Sequence, residues 1–133
     1  MIDTTHRFQG HGSLRFVYQK GKVIRGTYGA IKYILNNRRQ TYRAAVVVSR
    51  KVHKSAVVRN RIRRRIYEIV RTEAVRITGP YDIVFIVYSD QVAELPAGQL
   101  RMLICEKLEK AGILGAKSLR DQARHDIVKD KEN

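Results

Sequence analysis

A dense run of basic residues lies near the middle of the chain, where residues 49–65 read SRKVHKSAVVRNRIRRR. This segment holds eight lysines and arginines and no acidic residue. Arginine suits phosphate because its planar guanidinium donates paired hydrogen bonds and always keeps its charge. A solvated helix face would normally mix acids with the bases. The segment therefore predicts a phosphate-binding surface.

A long helix, predicted at residues 56–76 with Ser55 as its N-cap, would carry most of this run. Four apolar residues have the spacing of one buried helical stripe: Val58, Ile62, Ile66 and Ile69. At about 100° per residue, the polar residues occupy the opposite side and both flanks. These residues are Arg59, Asn60, Arg61, Arg63, Arg64, Arg65 and Arg71. One side of the helix is thus expected in the core and the rest at the surface.

Aromatic residues and cations are interleaved in the N-terminal third of the chain. Aromatic rings beside cations can stack on unpaired bases while the cations hold the phosphates. A position in the protein core is the alternative for at least half of these rings. The aromatic residues concerned are Phe8, Phe16, Tyr18, Tyr28, Tyr33 and Tyr42.

The other reactive residue types show no catalytic arrangement. None of the four histidines has zinc-ligand spacing with Cys105, the single cysteine. We expect Cys105 to be a buried apolar thiol and His53 to be an RNA contact or a loop residue. One cysteine excludes an intrachain disulfide and suits a reducing compartment. We expect no cofactor and no metal bound by the protein itself.

The formal net charge of +15 is too high to be left without a partner. Nucleic acid, and RNA in particular, is the first candidate, and an anionic membrane surface is the second. The N-terminal segment lacks the apolar centre of a signal peptide, and no apolar run approaches the ~20 residues of a membrane helix. A membrane-surface helix would expose its apolar face, which the long helix needs for the core. The cytoplasm is the expected location.

The periodicities predict one domain over residues 1–114 and a mixed-charge tail over residues 115–133. The domain would be an α+β sandwich in the order α-β-β-β-α-β-α, with one sheet and helices packed on it. The second helix and its two flanking strands could form a parallel crossover unit. After an extended arm at 1–12, the predicted elements are a helix at 14–20 capped by Ser13, strands at 23–28, 30–35 and 43–49, the helix at 56–76, a strand at 81–88 and a helix at 99–111.

The basic segment strongly resembles the protein subunit of bacterial ribonuclease P. That family has a segment like S-K-K, then a short loop, then R-N-R-x-[KR]-R on its long helix. The matching positions are Ser49, Arg50 and Lys51, then Arg59, Asn60, Arg61, Arg63 and Arg64. The D-I-V-F strand and the element order match as well, over about residues 6–112. The resemblance implies a fold like domain 2 of ribosomal protein S5, with a left-handed crossover against the usual rule.

The resemblance also implies a function. The large RNA subunit would carry the Mg²⁺ ions and catalyse the cleavage that frees the mature 5′ end of tRNA. The protein would be the accessory subunit of this endoribonuclease, with no obligate protein partner. It would bind the RNA subunit through Ser49, Arg50, Lys51, Lys54, Arg59, Asn60, Arg61, Arg63 and Arg64. It would bind the 5′ leader of precursor tRNA in a cleft between the first helix and the sheet, through Leu14, Tyr18 and Tyr33.

Two other functions fit the same residues. The chain could be a ribosomal or other non-catalytic RNA-binding protein of similar charge, or a basic peripheral membrane or DNA-binding protein. An assay of tRNA 5′ processing with the protein and its RNA separates the ribonuclease P function from the first of these alternatives.

Overall fold

A computed structural model of the chain describes residues 6–8 and 11–115, and of residues 11–13 only the backbone. Its elements confirm the predicted α+β class and the order α-β-β-β-α-β-α. They are α1 (His11–Lys20), β1 (Lys22–Arg25), β2 (Gly29–Leu35), β3 (Arg43–Val47), α2 (Ala56–Glu73), β4 (Tyr81–Val87) and α3 (Ala97–Lys110). Short 3-10 turns follow α2 and β4, at Ala74–Arg76 and Asp90–Ala93. Most of the predicted arm and all of the tail after residue 115 lie outside the described residues, so the domain boundary stays a prediction.

The four strands form one sheet in the order β1-β2-β4-β3. β2 pairs with β1 and β4 in antiparallel fashion, whereas β3 and β4 are parallel. Because α2 connects β3 to β4, these three elements make up the parallel crossover unit that the sequence predicted. The left-handed sense of this crossover, and the likeness to the ribosomal domain, stay predictions.

The sheet has helices on both faces, and alternate residues of each strand face opposite sides. On one face, Ile31, Ile83 and Phe85 pack with the buried side of α2 and α3 in the larger core cluster. On the other face, Val17 of α1 is fully buried in a smaller cluster that includes Ala45 and Val84. Within the described part of the chain, α1 is the only helix on this face, where it lies across the middle of the sheet, mainly over β2 and β4.

Local signals explain how α2 begins and which side it buries. The Ser55 hydroxyl accepts a hydrogen bond from the Val58 N–H at 3.4 Å, which confirms the predicted N-cap. Ile62, Ile66 and Val70 are buried, whereas Val58 and Ile69 are only partly buried at the border. The predicted buried stripe was therefore correct at Ile62 and Ile66. Its next buried residue is Val70 rather than Ile69.

Several predicted boundaries were wrong. Ser13 does not cap α1, because the helix already begins at His11. The first strand ends at Arg25 rather than at residue 28, since the Gly26 N–H donates to the Gly29 carbonyl at 2.8 Å and closes a turn. α2 ends at Glu73 and continues as the 3-10 turn. Gly112, with a φ of 76°, follows α3 as the predicted stop.

A buried carboxylate joins the end of α2 to α3. Glu73 is 6% exposed and accepts hydrogen bonds from Arg101 of α3 and, at 3.1 Å, from Arg76. Arg76 also donates to Glu109 at 2.9 Å. These charge-assisted bonds fix the two helices relative to each other on one face of the sheet.

Arg65 belongs to the basic run, but its guanidinium is used inside the protein. It donates to the carbonyl oxygen of Val92 at 2.6 Å and to that of Leu95. The sequence placed Arg65 on a solvent-facing flank of α2, and that prediction was wrong. The side chain instead fixes the segment between β4 and α3 against the helix.

Among the described residues, none of the three helices combines the length and the hydropathy that a membrane-spanning helix requires.

We expect the change Arg65→Ala to destabilise the protein. Hydrogen bonds from a charged donor contribute about 1.5–3 kcal/mol each, and two are lost at once. The free energy of unfolding should fall by about 2–4 kcal/mol, which a thermal or urea melt will measure. Arg64→Ala, which removes the same charge from the exposed neighbouring position, should change it by no more than ~0.5 kcal/mol. Equal effects of the two changes would show that the Arg65 contacts are not structural.

Candidate RNA interface

The loop between β3 and α2 presents the first three predicted contacts. The Val52 N–H donates to the Ser49 carbonyl at 3.0 Å, so residues 49–52 form a turn. Val52 packs against the core, and Ser49, Arg50 and Lys51 are exposed. Val52 thus anchors the turn on the core, while the side chains of Arg50 and Lys51 remain exposed.

A second set of local bonds shapes the end of this loop. His53 accepts a hydrogen bond at Nδ1 from the Ser55 N–H at 3.0 Å, and Ser55 in turn caps α2. Lys54 lies between them and is exposed. His53 is therefore a loop residue that positions the N-cap, which is one of the two roles expected for it.

The first turns of α2 bring together most of the remaining predicted residues. Asn60, Arg61 and Arg64 are exposed, as the predicted helical positions require. Arg63 is partly buried and donates to the Asn60 side-chain carbonyl at 2.5 Å. Arg59 is also partly buried, and its Nε has no hydrogen-bond partner. The helix thus presents several guanidinium groups, and that of Arg63 is hydrogen-bonded to the Asn60 amide.

The stretch of sequence that contains these residues is unusually one-sided in charge. The sequence contains no Asp or Glu between Asp3 and Glu68, although 17 lysines and arginines fall within that stretch. Asp82 is 1% exposed and pairs with Arg43, so it adds no negative charge to the surface. Asp90 and Glu94 are exposed and share a groove with His53 and Val58, so acidic groups border this surface on one side. Such a surface attracts polyanions strongly at low salt.

A second candidate surface lies on the face of the sheet that α1 covers. Leu14 is partly buried there, and Tyr18 is 38% exposed. The Lys32 ammonium lies 4.6 Å from the centre of the Tyr18 ring, a cation–π contact. Burial raises the pKa of Tyr18, and the nearby Tyr88 raises it further. The phenol is therefore a hydrogen-bond donor at neutral pH, with one more aromatic ring close to it.

Tyr33 does not lie in this cleft. It packs with the core cluster on the α2 and α3 face, opposite Ile83 of β4. Its neighbour Lys32 faces α1, since its ammonium lies over the Tyr18 ring. The predicted grouping of Tyr33 with Leu14 and Tyr18 is corrected on this ground, because adjacent residues of a strand face opposite sides.

Sequence reasoning missed Lys32 and Tyr88 as members of the cleft. Tyr88 follows β4, is 48% exposed and lines a groove with Val47 and Ile86. The same groove includes Ser49 and Lys51 of the basic loop. The groove therefore connects the cleft to the basic loop that precedes α2. The available signal was the alternation along β4, which places Tyr88 on the same side as Ile86.

The described residues contain no group of three or more His, Cys, Asp or Glu side chains that could hold a metal ion. Cys105 packs on the core but is only partly buried. Burial raises the pKa of its thiol. The expectation of an apolar structural thiol is thus close to what the structure shows.

Comparison with known proteins covers nearly the whole described domain. The family model described as Ribonuclease P matches residues 2–111. The ribonuclease P protein component of Roseiflexus sp. (strain RS-1) is 39% identical over 102 residues, which are 74% of this chain and 83% of that protein.

Solved structures agree with this match at the level of the fold. The RNase P protein of Staphylococcus aureus superposes with a TM-score of 0.74 at 22% identity, over 83% of this chain and 98% of that one. The RNase P protein of Thermotoga maritima superposes with a TM-score of 0.70 at 23% identity, over 78% of this chain and 96% of that one. The sequence match over residues 2–111, which includes the arginine-rich helix, shows that the chain belongs to the ribonuclease P protein family.

Proposed function

We propose that the chain is the protein subunit of a ribonuclease P ribonucleoprotein and that it holds two RNAs, the catalytic RNA subunit and the 5′ leader of precursor tRNA. Membership of the family carries the first part, since its members are protein components of an enzyme of tRNA 5′ processing. The basic loop with the exposed side of α2 and the cleft beside α1 are two separate surfaces, which supports the assignment of one RNA to each.

The RNA subunit would bind to the basic loop and the exposed side of α2. Arg50, Lys51 and Lys54 would neutralise phosphates, and Arg61 and Arg64 would bind them with paired hydrogen bonds. Arg63 and Asn60 already form a hydrogen-bonded pair, so the amide nitrogen of Asn60 can be presented to a base edge or a ribose hydroxyl. Ser49 and Arg59 would border this surface.

The leader would lie in the cleft beside α1. Tyr18 offers a ring on which a base can stack, while Lys32 can hold the adjacent phosphate. Tyr88 would extend the platform toward the basic loop. Leu14 can contribute apolar contact but no stacking, and Tyr33 would support the strand from the other face.

Catalysis would remain with the RNA subunit. In this proposal Mg²⁺ binds to that RNA, and the residues of the protein position the precursor and screen phosphate repulsion between the two RNAs. The proposed location is the cytoplasm, where precursor tRNA is processed.

Reconstitution tests the function as a whole. Protein and RNA subunit together should release the 5′ leader at Mg²⁺ concentrations too low for the RNA subunit alone, because the cations of the protein reduce repulsion between the RNAs. Cleavage is read from the length of the product. The protein alone should release no leader. A protein that leaves the Mg²⁺ requirement of the RNA unchanged would count against the proposal.

The double change Asn60→Ala and Arg61→Ala should weaken binding to the RNA subunit at least tenfold while leaving the fold intact. It removes one guanidinium and one amide from exposed positions, and alanine favours the helix. Affinity and a thermal melt are both measured. Arg71→Ala removes one charge from the same helix, where Arg71 pairs with Glu68, and serves as the control. Equal loss in both variants would mean that total charge alone controls binding.

Changing Tyr18→Leu should weaken binding of precursor tRNA by the assembled enzyme more than binding of mature tRNA. Base stacking contributes about 1–3 kcal/mol, and only the precursor has a leader. Phe16→Leu is the matched control, since Phe16 is also exposed on α1 but lies about 200° away around the helix. If the two variants discriminate equally, or if both substrates lose the same affinity, Tyr18 does not contact the leader.

A further inference from the structure

We infer that residues 36–40, here named the 36–40 turn, form a second surface that binds phosphates of the RNA subunit. This inference rests on the proposed function and adds a contact remote from α2. The turn connects β2 to β3 and reads NNRRQ. It therefore lies at the opposite end of β3 from the basic loop of residues 48–55.

A buried carboxylate holds the turn in place. Asp82 of β4 accepts two hydrogen bonds from Arg43, at 2.9 Å from Nε and 2.8 Å from Nη2, and one from the Asn36 amide at 3.0 Å. The other end of that amide, Asn36 Oδ1, accepts from the Arg38 N–H at 3.2 Å. The Asn36 carbonyl accepts from the Arg39 N–H at 3.1 Å. The backbone of both arginines is thus tied to Asp82 through a single asparagine.

The free-energy cost of burying the ion pair of Asp82 and Arg43 suggests that the pair has a role other than stabilising the fold. A buried ion pair rarely stabilises a fold more than apolar residues of similar volume would, because both charges lose their hydration. Asp82 lies in an otherwise apolar strand and is 1% exposed. What the pair provides is a turn of fixed geometry. A preorganised turn loses less conformational entropy when it binds a ligand.

The chemistry of the turn fits a phosphate backbone. Asn37, Arg38 and Gln40 are exposed, and each can donate hydrogen bonds. Arg39 is partly buried beside them. Arg7 forms a β-bridge with Ala44 on the edge of β3, so its backbone lies at this end of the sheet. Asp82 is neutralised by Arg43 below the surface.

Position in the fold favours the RNA subunit over the leader. The Cα atoms of Arg43 and Val47, at the two ends of β3, are about 13 Å apart at ~3.3 Å per residue. α1 lies between these ends, because Val17 belongs to the same buried cluster as Ala45 and Val84, which are at the middle of the two strands. A single strand in the Tyr18 cleft would be separated from the turn by this helix. A large folded RNA bound at α2 can contact both ends of β3.

The decisive variant is Arg38→Gln, tested in the full chain for affinity to the RNA subunit alone. We expect binding to weaken about threefold to tenfold. The slope of log K against log salt should also fall by roughly 0.7–0.9, the loss of one phosphate contact. Lys110→Gln makes the same change in net charge on α3, where Lys110 is exposed near Glu106, and should stay within about twofold of the native protein.

Asn36→Ala tests whether geometry matters as well as charge. It keeps both arginines but removes the link to Asp82, so affinity should fall while the net charge is constant. A thermal melt shows whether the variant is folded. If it is not, the Arg38→Gln result decides alone, because that side chain is exposed.

Arg61→Gln separates failure of this inference from failure of the proposed function. If Arg61→Gln weakens binding and Arg38→Gln behaves like Lys110→Gln, the 36–40 turn is not a contact, although the α2 surface is. If neither Arg61→Gln nor Arg38→Gln has an effect, both proposals fail. If Arg38→Gln lowers only the affinity of the assembled enzyme for precursor tRNA, the assignment to the RNA subunit is overturned.

Discussion

The packing of one narrow side of α2 against the sheet is the contact on which the rest of this protein depends. Ile62, Ile66 and Val70 are buried there. Burying such a side chain contributes about 1.5–3 kcal/mol, whereas like charges at i and i+4 cost only a few tenths of a kcal/mol per pair. The apolar contact therefore outweighs the repulsion among the arginines. The helix can fold with its guanidinium groups unneutralised, and its stability comes from the side that RNA does not need.

The pleat of the sheet decides which residues of β2 can reach a ligand beside α1. A shift of one residue moves a side chain to the other face. Lys32 and Tyr33 are adjacent in the otherwise apolar strand GAIKYIL. The sequence alone therefore does not show which of the two faces α1. Pairing with β4 settles the choice, because it places Tyr33 opposite the core residue Ile83 and Lys32 opposite Val84. A motif comparison that ignores the pleat therefore selects Tyr33, although Lys32 is the residue of the pair that faces α1.

Features that depend on residues close together in the sequence could be predicted. Features that depend on contacts between residues far apart in the sequence could not. The Ser55 cap, the stop at Gly112 and the element order all depend on residues a few positions apart. The exposed positions of Asn60 and Arg61 also follow from helical periodicity. Arg65 looks like its neighbours in sequence, and only the carbonyl groups of a segment about 30 residues later make it structural. Nothing local distinguishes it from an RNA-binding arginine.

This dependence on distant contacts has a consequence for the division of roles among the cations. Residues 4–67 contain no acid, so that stretch cannot neutralise its own arginines. The later part of the chain supplies the groups that withdraw particular arginines from the surface. Asp82 binds Arg43, and the carbonyl groups of Val92 and Leu95 bind Arg65. The second half of the chain thereby determines which arginines of the first half remain exposed to bind phosphate, and the basic segment cannot be interpreted without it.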